Sequence, residues 1–388
     1  MVKLALLGAT GSVGSSTIEV VKEQNEHFVI TLASAHRNWY NLCQIAGELS
    51  IPKVVLTGIE DTAQQAFIRN QYPNLKVYFG INELLNLLQD EDYDLALNAI
   101  SGSAGLRSSF AIAQRGKNLA LANKESLVMA GHLLMPLIKS QGIKILPVDS
   151  EHSAIFQLLE GHPHKEIRKI YITASGGALR DVPLDELENI TLERALQHPN
   201  WSMGTKVTLD SATMFNKALE VMEAHWLFDL DFERIDCVLQ PQSVVHSLVE
   251  FIDGAIFAQL SQPDMKLPIL YALSYPERLP SKLVQTDLKH LGNLEFSPIP
   301  TERYPLFILG LQVAYAGGIL PTVLNSANEA ALRLFQAGKI RYADIYRICQ
   351  EAVQNCINEP EPSLEQILTV NEQVCQRILR QYNFGDIQ

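Results

Sequence analysis

KLALLGATGSVGSSTIEVVKE, residues 3 to 23, sets an apolar run, a glycine-rich turn and a helix-spaced segment in direct succession. KLALLG reads as a buried strand and SSTIEVVKE as a helix. Between them the glycines of GATGSVG would let the turn tighten and bring backbone N–H groups toward a pyrophosphate at the helix N-terminus, the alternative being a merely structural turn. The same rhythm continues through HFVITLASA, LCQIAGEL, KVVLTG, YDLALNAI, NLALAN and IKILPV. Such alternation is the pattern of βαβ units, so residues 1–149 are expected to form a Rossmann-like, doubly wound parallel sheet that binds a dinucleotide.

Composition bounds the rest. With 388 residues, 47% hydrophobic and 19% charged, the chain is long enough for two or three domains and too apolar to be disordered. A formal net charge of -12 and no Lys/Arg stripe argue against nucleic acid as a partner, although a local cation or helix N-terminus can still bind one phosphate. Cys43, Cys237, Cys349, Cys356 and Cys375 are an odd number, scattered and without a CxxC pair, which fits reduced thiols in the cytoplasm. The first apolar segment is short and runs into a glycine turn, unlike a signal peptide, and no run approaches the length of a membrane span.

From residue 150 the pattern changes. KIYITAS, RIDCVLQP, SVVHSLVEFID and GAIFAQL are closely spaced strands, with a hairpin at Asp253 and Gly254 and helical segments around 212–228 and 265–273. Residues 150–274 therefore read as an α+β domain with a mixed or antiparallel sheet. Pro276, Pro280, Pro298 and Pro300 mark 275–300 as an extended linker, and 301–388 has helical spacing, with SLEQ at 363–366 as a capping box.

The second strand ends TLASAHRN, with no acid for a ribose 2′-hydroxyl and with Arg37 available to a 2′-phosphate, helped by Ser34 and Asn38. That predicts NADPH; the alternative is a solvated Arg. LANKESL places Asn123, Lys124 and Glu125 at another strand's carboxyl end, where open sheets bind ligands or simply carry a loop. ILPVDSEHSAIFQ then puts Asp149 and Glu151 after a buried run, where carboxylates need a positive partner. In DSATMFNKALEVMEAHWLF a helix starting near Ser211 puts Asn216, Lys217 and Glu220 on one face, with Ser211 as N-cap. Asp149, Glu151 and Glu220 would suit Mg²⁺ or Mn²⁺, the alternative being a capping acid and solvated charges. ITASGG can make a nest of donors with Ser175 or a plain turn. HPNWSMG, at 198–204, holds His198, Trp201 and Met203 in an aperiodic segment that reads as an active-site flap or as a core Trp in a loop.

Taken together, GATGSVG, LANKESLV, LPVDSEHSAIFQ, ITASGG, HPNWSMG, VTLDSATMFNKALE, PQSVVHSLVEF and QPDMKLPI, with NSANEA and the segment near DI in the tail, make the chain resemble the 1-deoxy-D-xylulose 5-phosphate reductoisomerases over nearly its whole length. The resemblance implies a homodimer with an NADPH domain, a catalytic domain carrying the flap and a C-terminal helical domain. Asp149, Glu151 and Glu220 match metal ligands; Ser175, Ser211, Asn216 and Lys217 match phosphate contacts; Lys124, Ser150 and His198 match substrate contacts; Trp201 and Met203 match the flap. Thr10, Gly11, Ser12, Val13, Arg37, Asn38, Asn123, Glu125 and Gly204 match cofactor contacts, with His36 beside them. Lys124, Glu151 and His198 are the expected catalytic residues. The reaction implied is rearrangement of the keto sugar phosphate, by a retro-aldol or an α-ketol route, and reduction to 2-C-methyl-D-erythritol 4-phosphate in the non-mevalonate isoprenoid pathway. Two alternatives stay open: a dehydrogenase without isomerisation, which would not need three metal carboxylates, and a non-catalytic NADPH-sensing protein, which would explain the glycine turn and the helical tail and bind cofactor without turnover. Two positions depart from the family pattern: His36 where many members have Gly, and Ala178-Leu179 where Pro-Phe is usual.

Overall fold

The computed structural model describes residues 1–384. The final four residues of the expected 301–388 segment, which include the DI pair at 386–387, lie outside the described residues. The chain divides into two compact units, one of Met1–Asn123, Leu134–Ser153 and Asp264–Gln285, the other of Lys124–Leu133, Ala154–Pro263 and Thr286–Gln388.

In the first half of the chain strands and helices alternate as β1 (Val2–Leu7), α1 (Ser12–Glu23), β2 (Phe28–Ala35), α2 (Trp39–Glu48), β3 (Lys53–Leu56), α3 (Thr62–Gln71), β4 (Lys76–Phe79), α4 (Ile81–Asp90), β5 (Leu95–Asn98), α5 (Leu106–Gln114), β6 (Asn118–Leu121), α6 (Glu125–Gln141), β7 (Ile145–Pro147) and α7 (Ser150–Leu159). The seven strands form one parallel sheet in the order β4-β3-β2-β1-β5-β6-β7. Leu4, Ala5, Leu6 and Leu7 are fully buried, which is why β1 is an unbroken apolar run rather than an alternating one. The strand order reverses between β1 and β5, and ligands of doubly wound sheets bind outside the strand ends at such a reversal. This is the Rossmann-like sheet expected from the opening stretch.

The second sheet is built from β8 (Ile167–Ala174), β9 (Ile235–Leu239), β10 (Val245–Phe251) and β11 (Ile256–Leu260). Its order is β11-β10-β8-β9, with β8 and β9 parallel and the other pairs antiparallel, so it is mixed. Three α-helices lie between β8 and β9: α8 (Leu192–Ala195), α9 (Thr205–Ala212) and α10 (Phe215–Phe228). Val221 and Ala224 of α10 pack on Ile170, Ile172 and Val249 of the sheet. Its other side, Phe215, Ala218, Leu219 and Met222, enters the core of the C-terminal helices.

After α11 (Lys266–Ser274), which packs on α1, come α12 (Pro305–Ala316), α13 (Leu320–Gln336), α14 (Tyr342–Gln354) and α15 (Leu364–Gln381). Ser363 and Gln366 close the expected capping box at the start of α15. No helix among the described residues is long and apolar enough to cross a membrane.

Candidate functional site

The glycine turn after β1 is shaped by contact as much as by freedom. Gly8 has φ +81°, and a Cβ there would lie 2.5 Å from the Ala99 carbonyl oxygen at the end of β5. One at Gly14 would lie 2.3 Å from the Gly8 carbonyl oxygen. The Gly8 and Ala9 amides both donate to the Ser34 carbonyl, at 3.0 and 2.8 Å, which joins the turn to the end of β2. Thr10, Gly11, Ser12 and Val13 therefore lie beside the segment carrying His36, Arg37 and Asn38, all three exposed. Gly11 is the N-cap of α1, and no side chain caps that first turn. Arg37 Nε donates to the Gly58 carbonyl at 3.2 Å, and Asn38 caps α2 by accepting from the Asn41 amide. His36 meets Thr57 Oγ1 at 3.2 Å, and its ring occupies the space a side chain at Gly58 would need. Partial burial, and after it the Arg37 charge, hold the His36 imidazole below its ordinary value.

Asn123 is 1% exposed and donates from Nδ2 to the carbonyls of Ile100 and Gly102, at 2.8 and 2.7 Å. It fixes the shape of the 100–105 loop at the end of β5. At the end of β7, Asp149 and Glu151 flank the first turn of α7, where the helix dipole favours negative charge. The Ser150 hydroxyl donates to the Glu151 carboxylate, and the fully buried His152 places Nδ1 4.0 Å from Asp149.

In the second unit Glu220 is 1% exposed and is met from two sides. Lys124 Nζ donates to its Oε1 at 3.1 Å and to Asn216 Oδ1 at 2.9 Å. Lys217 Nζ donates to the other carboxylate oxygen, and Asn216 Nδ2 to the first. Glu125 takes a different environment. It is buried and accepts from Lys206 Nζ at 2.7 Å, and Lys206 also meets Asp210 at 2.9 Å. Burial by itself would raise the Glu125 pKa, yet the Lys206 ammonium outweighs it and holds the carboxyl below the usual range.

Ser211 is not an N-cap. It sits inside α9 and donates to the Val207 carbonyl at 2.8 Å, while α10 begins after Met214, a residue in the left-handed region at φ 58°. The helical pattern misleads here because no Gly or Pro marks the break between α9 and α10. Ser211 instead meets the turn after β8: Gly176 and Gly177 have positive φ, and a Cβ on Gly177 would lie 2.3 Å from the Ser211 carbonyl oxygen. Ser175 in that turn accepts from the Gly177 amide at 3.1 Å and pairs with His198 Nε2 at 2.9 Å. His198 Nδ1 accepts from the amides of Asn200 and Trp201, at 3.2 and 3.0 Å, which leaves Nε2 as the N–H donor to Ser175. Gly204 closes the segment as N-cap of α9. Leu179, at the departure from the family pattern, is buried against Val182 and Ala212.

Three family models match the chain: 1-deoxy-D-xylulose 5-phosphate reductoisomerase over residues 4–131, its C-terminal domain over 145–228, and a DXP reductoisomerase C-terminal domain over 260–377. The reductoisomerase of Gloeobacter violaceus is 44% identical over 369 residues, 95% of this chain and 94% of that protein. That of an Exiguobacterium species is 43% identical over the full length of both. The chain belongs to the 1-deoxy-D-xylulose 5-phosphate reductoisomerase family. A crystal structure of DOX-P reductoisomerase in complex with NADPH, fosmidomycin and magnesium superimposes with a TM-score of 0.92, at 37% identity and covering 99% of this chain and 98% of that one. The reductoisomerase from Zymomonas mobilis in complex with NADPH gives 0.89 at 34% identity, covering 98% of each.

Family membership makes the chain an enzyme. Some residues that buttress the expected site residues were not legible in the sequence. The 100–105 loop follows a buried strand and holds two glycines, a signal of the same kind as GATGSVG but shorter. Gly58 carried no signal of its own, because His36 is remote from it along the chain; Lys206 has Asp210 one turn away on the same helix, but Glu125 comes from another element.

Proposed function

We propose that the protein rearranges and reduces 1-deoxy-D-xylulose 5-phosphate to 2-C-methyl-D-erythritol 4-phosphate, with NADPH and Mg²⁺ or Mn²⁺, in the non-mevalonate isoprenoid pathway. The observation that carries the reading is the buried Glu220 carboxylate held between Lys124 and Lys217 beside Asn216. A buried carboxylate gathered with two lysines and a carboxamide places an acidic oxygen donor beside the cations that anionic sugar oxygens and phosphate need. Asp149, Glu151 and Glu220 would hold the cation: their donors are carboxylate oxygens only, the set that suits a hard divalent ion. When bound, the cation polarises the sugar's carbonyl and hydroxyl oxygens and NADPH supplies hydride.

Around that chemistry the chain's own residues bind, orient and exclude water. Ser175, Ser211, Asn216 and Lys217 take the phosphate, and Ser150, Lys124 and His198 position the sugar. Glu151 is the proton carrier, and Trp201 and Met203 close over the substrate in a flap at 198–204. Thr10, Gly11, Ser12 and Val13 take the pyrophosphate at the start of α1. Arg37 and Asn38, with His36 beside them, take the 2′-phosphate, and Asn123, Glu125 and Gly204 complete the cofactor contacts. The domain reading is 1–149 for NADPH, 150–274 for catalysis, 275–300 as linker and 301–388 as a helical domain. Free cysteines support residence in the cytoplasm. A homodimer is supported by β11, an edge strand with Ile256 and Phe257 exposed at 55% and 46% and no charge in IFAQL, which is a surface that asks for a partner.

The test is loss of NADPH absorbance on adding the sugar phosphate, with and without Mg²⁺ or Mn²⁺ and with NADH as control. Metal-dependent oxidation of NADPH, with NADH much weaker, is expected. Glu220→Gln should lower turnover by roughly a hundredfold or more while NADPH affinity stays nearly intact; equal loss of both would remove the metal-ligand role.

A further inference from the structure

The segment PQSVVHSLVEF, residues 241–251, carries none of the proposed site residues. Its first residues, with Gln240 before them, make a tight turn. Gln240 is fully buried, its Oε1 accepts from the amides of Val244 and Val245 at 2.9 and 3.3 Å, and the Ser243 amide donates back to the Gln240 carbonyl at 3.0 Å. On its outer side the Leu239 amide and carbonyl both pair with Ser297. The turn is thus a fixed part of the fold.

Asn200, in the 198–204 segment, docks on this turn. Its Nδ2 donates to the Pro241 carbonyl at 2.6 Å and to Ser243 Oγ at 2.8 Å. Ser243 has φ 55°, a left-handed conformation that glycine adopts without strain. The turn by itself would be easier with Gly; what Ser adds is the hydroxyl that receives Asn200. Just beyond, the Trp201 ring lies 5.9 Å from that of His246, which is pinned by Ser261 Oγ at 2.8 Å. Residues 201–204 take no regular structure, and at the far side Lys206 is tied to Glu125 and Asp210. The 201–204 stretch is therefore short and clamped at both ends.

We propose that Asn200 is a positioning residue for the reaction: its carboxamide fastens the start of the flap to the Gln240–Ser243 turn, so that Trp201 and Met203 are delivered over the substrate from a fixed hinge. The inference rests on the flap reading proposed above. A segment already tethered loses less freedom when it orders over substrate, so the tether acts on substrate affinity through pre-organisation, while the proposed cofactor contact at Gly204 is held from the other end, as N-cap of α9.

Two variants and two readouts test it. In Asn200→Ala, which removes two neutral hydrogen bonds, KM for the sugar phosphate should rise about tenfold, with a smaller change in kcat and an unchanged NADPH Kd. Chymotrypsin cleavage after Trp201, located by mass spectrometry, should speed up by about fivefold or more relative to other exposed aromatic sites. Ser243→Gly removes one of the two acceptors and relieves the backbone, so KM should rise about threefold with no fall in Tm. Wild-type KM and cleavage in both variants would overturn the proposal. So would a loss of Tm with cleavage raised at every site, since that is fold-wide loosening. If the wild-type enzyme fails to turn over the sugar phosphate, the functional reading falls, and the site-specific cleavage ratio still decides the tether.

Discussion

At the scale of single residues the exchange at position 36 has a local answer. The imidazole of His36 is accommodated because residue 58 has no side chain: a Cβ there would come within 2.2 Å of the ring. Gly58 also lends its carbonyl to Arg37. Gly58→Ala should therefore push the ring aside and disturb Arg37, lowering NADPH affinity by about tenfold, the worth of one charge-assisted hydrogen bond. Fluorescence titration with NADPH checks this, and His36→Gly in the same background should restore binding. If the double variant binds no better than Gly58→Ala alone, the steric account is wrong.

At the scale of elements, two junctions hold the second unit's site residues. The first is the approach of the β8 turn to α9. Gly177 combines φ +69° with a 2.3 Å approach to the Ser211 carbonyl, so Gly177→Ala should cost about 2 to 4 kcal/mol of stability and separate Ser175 from Ser211. Denaturant unfolding and KM for the sugar phosphate should move together. The second junction is the Glu125–Lys206–Asp210 cluster between α6 and α9, to which Asn328 of α13 adds a bond to Asp210 at 2.7 Å. Glu125 has its folded pKa held below the ordinary 4.5, so its contribution to stability is present above that pH and is lost as pH falls through the folded value. Thermal unfolding should show Tm dropping below about pH 4.5, more steeply in the wild type than in Glu125→Gln. Equal slopes would mean that other carboxylates govern acid stability.

At the scale of the whole molecule the exposed edge of the second sheet bears on assembly. Ile256 and Phe257 are each about half exposed on a strand at the edge of its sheet. Phe257→Asp should turn the proposed homodimer into a monomer at micromolar concentration, read by light scattering, because a charge on such a strand blocks pairing. A wild-type chain that is already monomeric there would rule out the dimer.

Much of this protein was legible before any coordinate. The parallel sheet follows from apolar runs, glycine turns and helical spacing, because each of those signals is local and is set by backbone geometry within a few residues. The strands of the second sheet and the capping box of α15 were readable for the same reason. Asn216, Lys217 and Glu220 also cluster by local spacing, on one turn of one helix. What the sequence could not supply are the relations that fold-back creates. Ser211 looked like a cap until the left-handed Met214 split one expected helix into two. Glu125 looked like an open strand-end acid until Lys206, on another helix, closed on it. His36 and Gly58, Gly177 and Ser211, Asn200 and Ser243 are partners far apart along the chain. Their pairing is decided by packing distance, and that information exists only once the tertiary structure has brought the backbones within a few ångströms.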